Sequence, residues 1–190
     1  MKKMILALVL LGYAAFGGLG TKIDEIVCEA GHADSCASAA ASYLKKAERS
    51  DNLTPEIYLG KAAEFLGKAA CAGRHKASCL QLGMMYQEGK GTKQDMAQAA
   101  QLYKKSCDGI GGEWEACGLY AEYQIGIEEM QEAALYYEKA CRLGDWARLG
   151  TTDEKVEDIV NHLCEASESL KSFRPKESAA QRLLRDAARP

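Results

Sequence analysis

The sequence predicts an all-α protein built from helix–turn–helix repeats. Apolar residues recur at three- and four-residue steps, and no segment alternates apolar and polar residues as a half-buried strand would. Cysteine pairs recur at intervals of 43, 36 and 34 residues, which are typical periods of helical-repeat arrays. Of the 190 residues, 47% are apolar and only 3 are Pro. The net charge of -3 and the lack of a basic block exclude a typical nucleic-acid-binding protein.

Residues 1–20 are predicted to be a signal peptide. Lys2 and Lys3 precede an apolar run, residues 4–16, and small residues follow it. Cleavage is expected between Gly20 and Thr21, with the small residues at 17–18 as the alternative. A retained membrane anchor is the other interpretation, although the run is at the short limit for a spanning helix. Export to the periplasm or the medium would leave no membrane span and favour disulfides among 8 cysteines.

The cysteines mark a repeating unit. They form four successive pairs: Cys28 and Cys36, Cys71 and Cys79, Cys107 and Cys117, Cys141 and Cys164. An Ala-Cys step precedes a glycine in residues 70–73 and again in residues 140–144, and both predict a turn. The unit is therefore a helix, a glycine loop, a second helix and a tight turn that holds a cysteine pair.

The middle unit shows each element most clearly. Gly83 lies on the apolar stripe of the first helix, where it would let two helix backbones approach closely. The glycines of residues 89–91 break the chain. Asp95 is a good N-cap for a second helix that ends near Cys107. In the preceding unit, Pro55 is placed to occupy the first position of a helix.

Residues 78–107 resemble a Sel1-like repeat, a relative of the tetratricopeptide repeat, and the paired cysteines resemble those of the Helicobacter cysteine-rich protein family. The resemblance covers about residues 21–165 and implies a right-handed superhelical array, or α-solenoid. The repeats would span residues 28–70, 71–106 and 107–140, with a partial repeat over residues 141–165. The third repeat lacks the Gly-x-Gly loop and is expected to have a shorter turn.

The same resemblance implies one disulfide per repeat, with the cysteines paired in sequence order. Eight cysteines permit 105 pairings, and the repeat favours sequential pairs because helix ends so close in sequence lie within disulfide reach. In the fourth pair Leu149 stands where the second cysteine would fall, which leaves Cys164 as the partner of Cys141.

A metal site is the alternative interpretation of these cysteines. His32 and His75 each stand midway between two cysteines, so Cys-x3-His-x3-Cys occurs twice. Gly111 and Asp145 occupy that place in the other pairs, and an exported chain would oxidise the thiolates that zinc needs. We therefore expect no metal and no cofactor.

The resemblance also implies a β-lactamase or penicillin-binding activity, and whether the chain is an enzyme stays open here. Ser42 and Lys45 form a Ser-x-x-Lys motif, and residues 50–52 read Ser-Asp-Asn. The motifs are only eight residues apart, and no Lys-Thr-Gly segment exists. Ser42 also takes the repeat position of Met85 and Tyr123. Ser42 and Lys45 are thus weak catalytic candidates.

A binding module is the first functional prediction. Stacked helix pairs curve, and their first helices line a concave surface suited to a peptide or protein partner. The candidate binding residues are Gln81, Met84, Met85, Glu122 and Tyr123, about half of which would be core. A β-lactam or a cell-wall fragment is the alternative ligand, and a monomer is expected. Residues 166–190 are predicted to be a C-terminal capping helix and tail, or else a helix that binds a membrane or partner.

Overall fold

The computed structural model describes residues 19–50, 55–69, 75–151 and 153–173. The all-α prediction is confirmed: the described residues form eight α-helices and no strand. The helices are α1 (Leu19–Glu29), α2 (Ala33–Arg49), α3 (Pro55–Ala69), α4 (Lys76–Glu88), α5 (Met96–Cys107), α6 (Trp114–Gly126), α7 (Met130–Arg148) and α8 (Glu154–Ser169). A short 3-10 helix, Lys171–Phe173, follows α8.

The chain divides between Ala116 and Cys117 into two compact units. In the first unit consecutive helices pack together from α1 through α5. The core of this unit combines small residues such as Ala39 and Ala62 with larger ones such as Tyr43 and Leu66. The small residues let neighbouring helices approach, and the larger ones fill the space between them. This is the helix-on-helix packing expected of a repeat array.

The elements of the middle repeat form where the sequence predicts them. The Asp95 side chain accepts a hydrogen bond from the Gln98 backbone N–H at 2.9 Å and caps α5. Gly89 ends α4 in the left-handed conformation, with φ +70°. A Cβ at Gly83 would lie 2.6 Å from the Tyr103 ring and 3.3 Å from the Ala99 carbonyl oxygen. The close approach predicted at Gly83 is therefore confirmed.

The second unit holds most of α6 together with α7 and α8. Only three residues separate α6 from α7, so the shorter turn predicted for the third repeat is confirmed. The turn predicted in residues 140–144 is wrong, because α7 continues through these residues to Arg148. Gly144 serves packing instead, since a Cβ there would lie 2.7 Å from Val160 of α8.

Several predictions fall outside the described residues. They concern most of the signal peptide, Asp51 and Asn52 of the Ser-Asp-Asn motif, Cys71, and the tail beyond Phe173. The right-handed superhelical course also stays a prediction. Within the described ranges, every helix is too short or too polar to traverse a bilayer.

Candidate functional site

The α4 residues predicted to bind a partner divide between the surface and the core. Gln81 and Met84 are exposed, and Met84 keeps 43% of its surface accessible. Met85 is only 5% exposed and belongs to the core cluster of the first unit. Met85 is therefore one of the candidates that belong to the core, because one helical step of about 100° turns it away from the surface.

The candidates on α6 lie in the second unit. Glu122 is exposed and Tyr123 is half-buried. The neighbouring Tyr120 is buried; its ring packs edge-on against Tyr136 of α7 at 4.5 Å between centroids. Its hydroxyl donates a hydrogen bond to Glu132 Oε1 at 2.8 Å. Tyr120 thus fixes α6 against α7, while Glu122 lies on the surface of α6.

Ser42 and Lys45 line one pocket of about 270 Å³ in the first unit. Thr21, Lys46 and Arg49 complete its lining. The structure has no hydrogen bond between Ser42 Oγ and Lys45 Nζ, both of which it describes, and the Ser-Asp-Asn motif lies mostly outside the described residues. A serine nucleophile needs a base within hydrogen-bond reach. The arrangement therefore lends no support to hydrolysis by Ser42.

Tyr43 holds the helices that frame this pocket. Its hydroxyl donates a hydrogen bond to Glu25 Oε1 of α1 at 2.5 Å and accepts one from Lys61 Nζ of α3 at 3.3 Å. Burial, followed by the hydrogen bond to Glu25, raises the pKa of Tyr43. The Lys46 ammonium lies 4.7 Å from the centroid of the Tyr43 ring. Tyr43 cannot be identified from the sequence, because a tyrosine at a helical core position gives no local signal of a three-helix contact.

Two disulfides are placed by the structure. Cys28 at the end of α1 is joined to Cys36 in the first turn of α2, and Cys141 in α7 is joined to Cys164 in α8. Cys79, Cys107 and Cys117 are each disulfide-bonded as well. The pairs Cys71–Cys79 and Cys107–Cys117 stay predictions. The first bridge fixes a helix-to-helix turn, whereas the bridge between α7 and α8 ties two longer helices side by side.

The two placed disulfides differ in exposure, and this difference predicts the order in which they open. Cys28 and Cys36 are buried, whereas Cys141 and Cys164 are partly exposed. Thiol–disulfide exchange requires access to the sulfur atoms. At a limiting concentration of a water-soluble reductant, we expect Cys141 and Cys164 to become alkylatable first. Differential alkylation followed by peptide mass spectrometry measures the order; earlier labelling of Cys28 and Cys36 would contradict it.

The histidines do not assemble a zinc site with the first cysteine pair. His32 and His75 are the N-cap residues of α2 and α4, and His75 Nε2 lies 2.9 Å from Asp34 Oδ1. The sulfur atoms of Cys28 and Cys36 are joined to each other, so neither can supply a thiolate to zinc. The same argument applies to Cys141 and Cys164, which lie near the Asp145 carboxylate.

Comparison with known families finds Sel1 repeats in this chain. The Sel1 repeat family matches residues 5–27, 76–109 and 115–145. The second match covers α4 and α5, and the third covers α6 and most of α7. The first match overlaps the segment predicted to be a signal peptide and ends within α1. No curated protein matches the chain.

Proposed function

We propose that this chain is an exported Sel1-repeat module that binds a peptide or protein through the first helices of its repeats. The observation that carries the proposal is the exposure of Met84 and Gln81 on α4, inside a matched Sel1 repeat. Sel1 repeats are protein-interaction modules. The resemblance to the Helicobacter cysteine-rich family implies a β-lactamase or penicillin-binding activity instead, so the proposal does not rest on it.

The chemistry of these side chains suits a protein partner. Methionine is flexible and polarisable, so Met84 can fit apolar side chains of different shapes. The Gln81 amide can donate to and accept from a peptide backbone. Glu122 and the half-buried Tyr123 give α6 a similar combination of a polar group and an apolar body. An extended segment or an amphipathic helix is the kind of ligand that such helix faces bind.

Export is the second part of the proposal. Disulfides form and persist in oxidising compartments such as the periplasm and the medium. Five described cysteines outside the Cys141–Cys164 bridge are disulfide-bonded, namely Cys28, Cys36, Cys79, Cys107 and Cys117. The charged and apolar start of the sequence is consistent with a signal peptide that would direct such export.

The binding proposal is tested by comparing two methionines of equal exposure. Met84 on α4 is 43% exposed and Met96 on α5 is 44% exposed. The oxidised protein is used to capture partners from a periplasmic extract and from culture medium, and each captured partner is then titrated against variants. We expect Met84→Glu to weaken its binding by at least about tenfold, the loss typical of an anchor residue, and Met96→Glu to leave it unchanged.

The Met96→Glu control decides whether a loss of binding in Met84→Glu is specific to α4. Both variants place one new negative charge on the surface, so a general charge effect would weaken binding equally in both. Equal losses, or a loss only in Met96→Glu, would overturn the assignment of the first helices as the binding face. Partners that bind fully reduced, unfolded chain as tightly as the oxidised protein are discarded as non-specific.

A further inference from the structure

The pocket between α1 and α2 carries an unusual concentration of positive charge. Ser42, Lys45, Lys46 and Arg49 follow one another at helical spacing and all line it. Three of these four side chains are cations, and none of the described residues that line the pocket is a carboxylate. Because the whole chain has a net charge of -3, the positive field is local to this pocket and is not a property of the protein as a whole.

These cations have no carboxylate partner among the described residues. Some lysines elsewhere are paired with carboxylates: Lys68 contacts Glu29 and Glu64, and Lys90 contacts Glu88. No such ion pair is formed by the three pocket cations, Lys45, Lys46 and Arg49. Like charges four residues apart on a helix repel each other. Cations near the end of α2 do interact favourably with the helix dipole, but that interaction requires neither a pocket nor hydroxyl groups.

The pocket also contains a hydroxyl that lacks a partner. Thr21 lines the pocket from the first turn of α1, and it would be the first residue of the chain after the cleavage expected between Gly20 and Thr21. Its side chain makes no hydrogen bond to any residue that the structure describes, and the same holds for Ser42. A ligand in the pocket that accepts hydrogen bonds would satisfy both groups.

We propose that this pocket binds a small dianion of the phosphomonoester class. The Arg49 guanidinium can donate two parallel hydrogen bonds to phosphate oxygens. Lys45 and Lys46 supply point charges, and the Thr21 and Ser42 hydroxyls supply further donors. With a liquid-water share of about 30 Å³ per molecule, a pocket of 270 Å³ has room for a phosphate and a small organic group. The site lies on α1 and α2, apart from the α4 residues of the proposed function.

Calorimetric titration of the oxidised protein tests the proposal with three probes: inorganic phosphate, glycerol 2-phosphate and acetate. We expect both phosphates to bind, and acetate to bind at least about tenfold more weakly because it carries one charge. Affinity for glycerol 2-phosphate should increase as the pH rises through about 6, where a phosphomonoester loses its second proton. Failure of both phosphates to bind, or equal binding of acetate, would overturn the proposal.

Variants locate the binding. Arg49→Gln and Lys45→Gln should each weaken phosphate binding by about tenfold or more, and Arg49→Lys should weaken it less because it keeps the charge but loses the paired donors. Thr21→Val, which keeps the shape but removes the hydroxyl, should also weaken binding. Lys93→Gln removes one charge from an exposed loop residue and should bind as the parent does. A loss in Lys93→Gln equal to that in Arg49→Gln would show non-specific attraction and refute the site.

A lipid headgroup can also carry a phosphomonoester. A second experiment therefore distinguishes a soluble phosphomonoester from a lipid headgroup. Vesicles that contain phosphatidic acid are compared with vesicles of neutral phosphatidylcholine in a sedimentation assay. Binding of free glycerol 2-phosphate without vesicle binding assigns a soluble ligand. Arg49-dependent binding to phosphatidic acid vesicles assigns a headgroup to the same pocket. Vesicle binding that Arg49→Gln leaves unchanged would contradict the assignment.

Discussion

Replacing Gly91 with alanine is expected to lower the free energy of unfolding by about 3 kcal/mol, because two penalties add. Gly91 has φ +67°, a left-handed conformation that an L-residue adopts at a cost of about 1–2 kcal/mol. A Cβ at this position would also contact the Leu59 carbonyl carbon, and it would lie 2.5 Å from the Leu59 oxygen and 2.7 Å from the Gly60 nitrogen. These are backbone atoms in the middle of α3, which cannot rotate away as a side chain can.

Gly111 provides the matched control. It has φ +70°, nearly the same as Gly91, but a Cβ there would meet nothing within 4 Å. Gly111→Ala should therefore lose only the conformational part, about 1–2 kcal/mol. Urea denaturation of the oxidised proteins measures both losses. If the two variants lose the same stability, the contact between the α4–α5 loop and α3 does not constrain position 91.

The Gly-x-Gly loop can be predicted from the sequence, but the contact of Gly91 with the α3 backbone cannot. The glycines of residues 89–91 predict a break between two helices whatever the surrounding fold. The partner of Gly91 is the backbone of residues 59–60, some thirty positions earlier, and nothing in the local sequence identifies it. Asp95 was predictable for the opposite reason, since an N-cap bonds to the backbone of its own first turn.

The wrong turn prediction at Gly144 and the unresolved choice between Met84 and Met85 have equally specific physical causes. Gly144 follows an Ala-Cys step as a turn glycine would, but α7 continues through it, and the missing side chain leaves room for Val160 at this crossing. Met84 and Met85 are adjacent in the helix, and nothing in the sequence indicates which of the two faces the core. The role of Gly144 and the choice of the buried methionine both depend on which helix packs against that position.

The sequence predicts only part of the charged pocket. Ser42, Lys45, Lys46 and Arg49 can be recognised as one helix face from their spacing. What the sequence does not reveal is that Thr21 of α1 closes the pocket from the other side. That placement depends on the packing of α1 against α2, which the Tyr43–Glu25 hydrogen bond and the Cys28–Cys36 bridge maintain.

Removing the Cys141–Cys164 bridge by replacing both cysteines with alanine is expected to lower the free energy of unfolding by about 3.5 kcal/mol on the chain-entropy model. The two cysteines are 23 positions apart, so the unfolded chain gains considerable freedom when the bridge is absent. Both residues are partly exposed, and the change removes little buried surface. The stability difference should therefore arise mainly in the unfolded state.

An effect on the unfolded state has a distinct signature in urea denaturation, because the slope of stability against urea increases when the unfolded chain becomes less compact. Val160→Ala is the matched control. Val160 packs between the same two helices, α7 and α8, and is fully buried, so its truncation should lower stability by about 2 kcal/mol through lost packing. That variant should leave the slope unchanged, since it alters only the folded state. If the double alanine variant loses stability with an unchanged slope, the bridge stabilises α7 and α8 through native contacts, and the chain-entropy account of this disulfide is wrong.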